Sequence, residues 1–125
     1  MVASPELKCT EDDAVLRFPA AEASGRGTIE NRFQGVLTLS LGWPNDEALN
    51  GHRLWGTGLN YHAIQEVIGS DLIEELERRN AVHRLHRSGA FRDRRHIIVT
   101  FKDATFECVC MTMELSHSHK QQPTS

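Results

Sequence analysis

Between residues 28 and 42 apolar and polar side chains alternate: Ile29, Phe33, Leu37, Leu39 and Leu41 fall on one face of an extended chain, and Glu30, Arg32, Gln34, Thr38 and Ser40 on the other. A period of two predicts a half-buried strand, with Gly35 marking a bulge or the close approach of another segment. The stretch LNYHAIQEVIGS, residues 59–70, fits a strand or a short helix. A strand is favoured because a clear helix start comes after it: Ser70 is a good N-cap, Asp71 suits the positive helix end, and Leu72, Ile73 and Leu76 repeat on one face. Glu74, Glu75 and Glu77 precede Arg78 and Arg79, as the helix dipole prefers, and the helix is expected to end between Val82 and His86.

After RSGAF breaks that pattern, RRHIIVTFKDATFECVCMTMEL, residues 94–115, reads as a β-hairpin. Its loop, KDAT, lacks the Gly or Asn of a two-residue primed turn, so a four-residue loop is expected, pairing Phe101 with Phe106, Val99 with Cys108 and Ile97 with Cys110. Those six side chains share one face. The other face would carry Thr100 with Glu107, Ile98 with Val109 and His96 with Met111, a mixed set expected to be partly wet.

The order of elements describes an α+β domain with a mostly antiparallel sheet, a C-terminal β-hairpin and one main helix packed on one face. At 125 residues the chain fits a single domain, placed at residues 28–115. Residues 1–27, small, polar and acidic apart from a short strand candidate at AVLRF, read as a flexible arm, and residues 116–125 as a disordered tail. No run approaches the roughly 18 apolar residues of a spanning helix or resembles a signal peptide. Three cysteines, an odd number, make a poor disulfide framework, so a cytoplasmic protein is expected.

Charge changes the picture more than composition does. Residues 78–96 hold seven arginines against Asp93, a charge of +6, which leaves -9 elsewhere in a chain of net charge -3. Arg84, Arg87, Arg92, Arg94 and Arg95, with His83, His86 and His96, are therefore candidates for binding a phosphate-bearing ligand or an acidic protein partner, a second copy of the chain included. The acidic remainder and few aromatics make nucleic acid a poorer fit. The competing assignment is a small enzyme whose pocket lies between the loop of His52, Arg53 and Trp55 and the segment from His83 to His96. That loop belongs to WPNDEALNGHRLWGTG, residues 43–58, which reads as a long surface loop.

No motif calls for a cofactor. The Cys-x-Cys step of Cys108 and Cys110 offers two thiols where zinc needs about four converging ligands, and its alternation with aromatic and aliphatic residues predicts burial in a strand. His83 and His86, three apart, lack the HExxH pattern, and Gly56 and Gly58 lack the strand-to-helix setting of a phosphate loop. No nucleophile signature is present. The run GHRLWGTGLNY through HIIVTFKDATFEC, residues 51–108, resembles small bacterial proteins of unassigned function, a resemblance that implies no fold, activity or catalytic residue.

Overall fold

The computed structural model describes residues 5–20, 27–43, 46–52, 54–56, 59, 63–80, 91 and 93–118. Among the described residues eight strands and one α-helix follow one another: β1 (Glu6–Cys9), β2 (Asp13–Pro19), β3 (Thr28–Gln34), β4 (Thr38–Gly42), a 3-10 helix at Asp46–Gly51, β5 (Ile64–Val67), α1 (Asp71–Asn80), β6 (Arg95–Thr100), β7 (Thr105–Cys110) and β8 (Thr112–Ser118). They build a mixed α+β fold of two antiparallel sheets, with orders β1-β2-β3-β8 and β4-β7-β6-β5. No helix among the described residues is long and apolar enough to cross a membrane.

The alternating stretch at residues 28–42 is not one strand but two, β3 and β4, lying in different sheets. Gly35 is the reason. Its φ of +65° is one that L side chains rarely adopt, and a Cβ there would lie 2.7 Å from Met111 Cγ. Opposite it, β7 passes into β8 at Met111, whose N–H donates to Gln34 O at 2.9 Å, while Leu37 N–H donates to Val109 O at 2.8 Å. Two long chain segments therefore stay paired while bending together from one sheet into the other. The bend also breaks the expected face: Phe33 is core and Leu39 and Leu41 pack on it, whereas Leu37 is exposed.

The N-terminal segment is not an arm. β1 and β2 pair with each other and β2 pairs with β3, and Ala14 and Leu16 are fully buried. The few apolar residues of this polar stretch alternate, so a single face suffices to hold it on the sheet. Likewise residues 116–118, expected in the tail, belong to β8, whose Ser118 pairs with Thr28; residues 119–125 lie outside the described residues. The core joins the two sheets: Ala14, Leu16 and Phe33 from one meet Ile97, Val99, Phe101, Phe106, Cys108 and Cys110 from the other. Phe18 meets Phe101 edge-on at 4.9 Å between ring centroids, and Phe33 lies 5.1 Å from Phe106.

The hairpin of β6 and β7 forms, in a register two residues from the expected one. Val99 faces Phe106, Ile97 faces Cys108 and Arg95 faces Cys110, and the turn is the two residues Lys102 and Asp103, closed by Phe101 N–H to Ala104 O at 2.8 Å. A slip of two leaves the facing of every side chain unchanged, so all six expected core residues are still inward. Residues 64–67 form a strand, as favoured, and Ser70 caps α1 by accepting Ile73 N–H at 3.2 Å. None of the 10 residues of α1 is fully buried, so the helix rests on the sheet rather than being wrapped by it.

Candidate functional site

All six residues of β7 are buried. Phe106, Cys108 and Cys110 belong to the core between the sheets, so Thr105, Glu107 and Val109 point to the opposite face. That face was expected to be partly wet; instead Thr105, Glu107 and Val109 are buried together with His96, Ile98 and Thr100 of β6. Glu107 is the anomaly, a carboxylate in a strand that otherwise reads as core, and charged groups take such positions when they are paired.

Two histidines from different parts of the chain meet it. His96 Nε2 lies 2.5 Å from Glu107 Oε2, reaching diagonally along the sheet from its cross-strand partner Val109. His52, from the end of the 3-10 helix, brings Nε2 to 3.4 Å from Glu107 Oε1. Leu54 N–H donates to His52 Nδ1 at 3.0 Å, which assigns the ring proton to Nε2, the nitrogen facing the carboxylate. On the far side of His96, Nδ1 shares a hydrogen bond of 2.7 Å with Ser70 Oγ, the cap of α1. One polar chain therefore links the loop, the sheet and the helix: His52, Glu107, His96, Ser70. Such a chain can hold a carboxylate in place and move a proton along its length.

The carboxylate is sealed on the histidine side and reaches a cleft on the other. Between β4 and α1 a space of about 370 Å³ is lined by Glu107, Thr38, Ser40, Leu72, Glu75 and Arg79, among others. Ser40 is the direct cross-strand partner of Glu107. Across the rim, Arg79 Nη2 donates to Glu75 Oε1 at 2.8 Å.

The expected candidates divide. His52 and His96 come together on Glu107, while Trp55 is 40% exposed. Arg53, His83, Arg84, His86, Arg87 and Arg92 lie outside the described residues. His96, expected on a charged surface, is 1% exposed: strand alternation puts it with Ile98 and Thr100 on the face where Ser70 and Glu107 meet it, and puts Arg95 on the other face, paired with Cys110. Arg95 turns outward and grips Glu66 with Nη2 at 2.7 Å and Nε at 3.1 Å from the two carboxylate oxygens. That hydrogen bond, and the charge behind it, hold Glu66 below its ordinary range against a smaller effect of burial. Arg94 makes no ion pair among the described residues; its guanidinium carbon lies 5.8 Å from the centre of the Phe91 ring.

Near Phe91 a depression of about 320 Å³ is lined by Leu37, Leu76, Phe91, Arg79 and Asn80. Leu37, displaced by the Gly35 bend, thus supplies part of an apolar floor beside the start of the arginine segment. Cys108 and Cys110 are fully buried. Their mutual hydrogen bond pushes the Cys108 thiol up, with burial adding to it, and draws Cys110 down against burial, helped by Arg95; with both sulfurs enclosed, neither is presented to a reagent.

Glu107 and Ser70 were not singled out as site residues from sequence. The signal for Glu107 was present in TFECVC, where a lone acid interrupts a run with strand character; Ser70 gave only its capping signal. Compared with protein-family models, with curated proteins and with solved structures, the chain matches none.

Proposed function

We propose that this chain is a small interaction module that recognises an acidic partner protein through the segment of residues 78–96. The observation that carries the reading is the depression of Leu37, Leu76 and Phe91, flanked by Arg79 and with the Arg94 guanidinium near Phe91. An apolar floor beside arginine is the composition of a binding hot spot: the aromatic ring and aliphatic side chains take an inserted apolar group, and guanidinium groups meet carboxylates around it. Arg95 and Arg79 are engaged by Glu66 and Glu75, which makes Arg94 the cation best placed to meet a partner. Acidity in the partner follows from the +6 segment itself.

The test is titration of a glutamate-rich peptide carrying one central tryptophan, read by calorimetry at low and moderate salt. Arg94→Glu and Phe91→Ala should each weaken binding by about tenfold or more, and binding should weaken as salt rises. Equal affinity for the same peptide with glutamines in place of glutamates would remove the reading. Sedimentation of the protein alone distinguishes a second copy as the partner: a concentration-dependent dimer lost in Arg94→Glu would make the module self-associating.

A second reading, a small acid–base enzyme, is favoured by the convergence of His52 and His96 on Glu107 beside a cleft.

A further inference from the structure

We infer that β8 is a dimerisation edge: it pairs antiparallel with β8 of a second copy of this chain, about a two-fold axis at Leu115, and joins two four-stranded sheets into one of eight strands. The inference rests neither on the arginine surface nor on the polar chain of Glu107. Three observations carry it. The first is an unguarded edge. Among the described residues the edge strands are β1, β4, β5 and β8, and β8 is the longest, with 7 residues against 4, 5 and 4. An edge strand offers a row of backbone donors and acceptors, which proteins blunt with shortness, charge or proline. β1 is short and carries Glu6 and Lys8, bonded at 3.4 Å, and β5 is short and carries Glu66, gripped by Arg95. β8, TMELSHS, has no proline, lysine or arginine and one acid, Glu114.

The second is an apolar row that stops at this edge. Leu7, Leu16, Asn31 and Leu115 are successive cross-strand partners from β1 to β8. Leu16 and Asn31 are fully buried, whereas Leu115, at the end of the row, is 56% exposed. Met113, two residues along on the same face, is only partly buried against the core. A second β8 laid alongside sets its own Leu115 against the first and continues the row into the other sheet, which removes apolar surface from water on both copies.

The third is register, which the strand's own charge selects. A two-fold axis normal to the sheet keeps every side chain on its face, so the axis passes through one residue and not between two. An axis at Glu114 would set two carboxylates directly opposite each other, a destabilising pair. An axis at Ser116 would leave Thr112 and Met113 without a partner in β8. At Leu115 all 7 residues pair: Leu115 with its own copy, Glu114 with Ser116, Met113 with His117 and Thr112 with Ser118. The single acid then meets a hydroxyl on the second copy, and the strand is complementary to itself.

The experiment is sedimentation velocity of the full chain over about a hundredfold range of concentration, where a reversible dimer should appear. Leu115→Lys, at an exposed position, sets two ammonium groups opposite each other and should weaken the dimer by about tenfold or more. Ser116→Lys places a cation opposite Glu114 of the second copy, twice per dimer, and should tighten association by about threefold or more, whereas Ser116→Glu should loosen it by a similar factor. Amide hydrogen exchange of the unaltered chain provides a readout that needs no substitution: on concentration it should slow in β8 and stay unchanged in β1. A chain that remains monomeric up to about 1 mM, a dimer indifferent to Leu115→Lys, the two Ser116 variants acting alike, or slowed exchange confined to residues outside β8 would each overturn the inference. Arg94→Glu should leave this dimer intact; a dimer lost in Arg94→Glu and kept in Leu115→Lys would uphold self-association through the arginine segment and remove the β8 edge, so the two fail separately.

Discussion

Asn31 lies at the centre of β3, with Leu16 across from it on β2 and Leu115 on β8, and it is wholly buried. Neither its side-chain oxygen nor its nitrogen has a hydrogen-bond partner among the described residues. A buried amide without a partner costs about 1–3 kcal/mol relative to one that is satisfied. Replacement by valine removes both orphaned atoms, keeps the side chain close in size, and introduces a β-branched residue suited to a central strand. The small gain in bulk sets aside part of the benefit. Asn31→Val should therefore stabilise the fold by about 1–2 kcal/mol. For a chain of 125 residues this corresponds to a rise in melting temperature of about 4–8 °C. Thermal unfolding and urea titration measure it together, and the urea slope should not change, because the surface exposed on unfolding is the same. A fall in melting temperature at unchanged slope would refute the reasoning, since it would mean that the amide is served by a group that the apolar substitute cannot replace.

Two further expectations concern the bend and the surface charge. Gly35→Ala should destabilise by about 1–3 kcal/mol, from the left-handed backbone and from a Cβ pressed to 2.7 Å from Met111 Cγ, and Met111→Ala in the same chain should recover part of the loss, a coupling that a double-mutant cycle reads directly. Glu66, held below its ordinary value near 4.5 by Arg95, contributes stability that is present above the unfolded-state value and is lost as pH falls through the folded one. Glu66→Gln should accordingly lower the melting temperature slightly at pH 7 and leave it unchanged from the parent in strong acid; a difference that persists undiminished there would show that the pair acts through packing and not through charge.

Much of the local structure was legible in the chain. Period-two alternation marked residues 28–42 as extended, though as one strand and not as β3 and β4, and placed β6 and β7; the capping signal at Ser70 placed the start of α1, and glycine at residue 35 announced a bulge or close approach. The hairpin shows why facing is read more securely than register: a slip of two residues moved every cross-strand pair and left Cys108, Cys110 and the phenylalanines in the core. The polar N-terminal stretch was misread because composition averages over both faces of a strand, and one face carrying Ala14 and Leu16 was enough to anchor it.

What the sequence determined by itself was local: which residues alternate, where a helix begins, where positive charge gathers. Only the tertiary structure decided that there are two sheets, because the bend at Gly35 depends on Met111, 76 residues away, closing over a missing side chain. Only it decided that His52, Ser70, His96 and Glu107 form one chain of contacts, since each reads locally as a loop residue, a cap or a strand residue. Side-chain chemistry is written residue by residue, whereas the distance between two groups far apart in sequence is set by how layers of strand and helix pack, and no pattern along the chain encodes it.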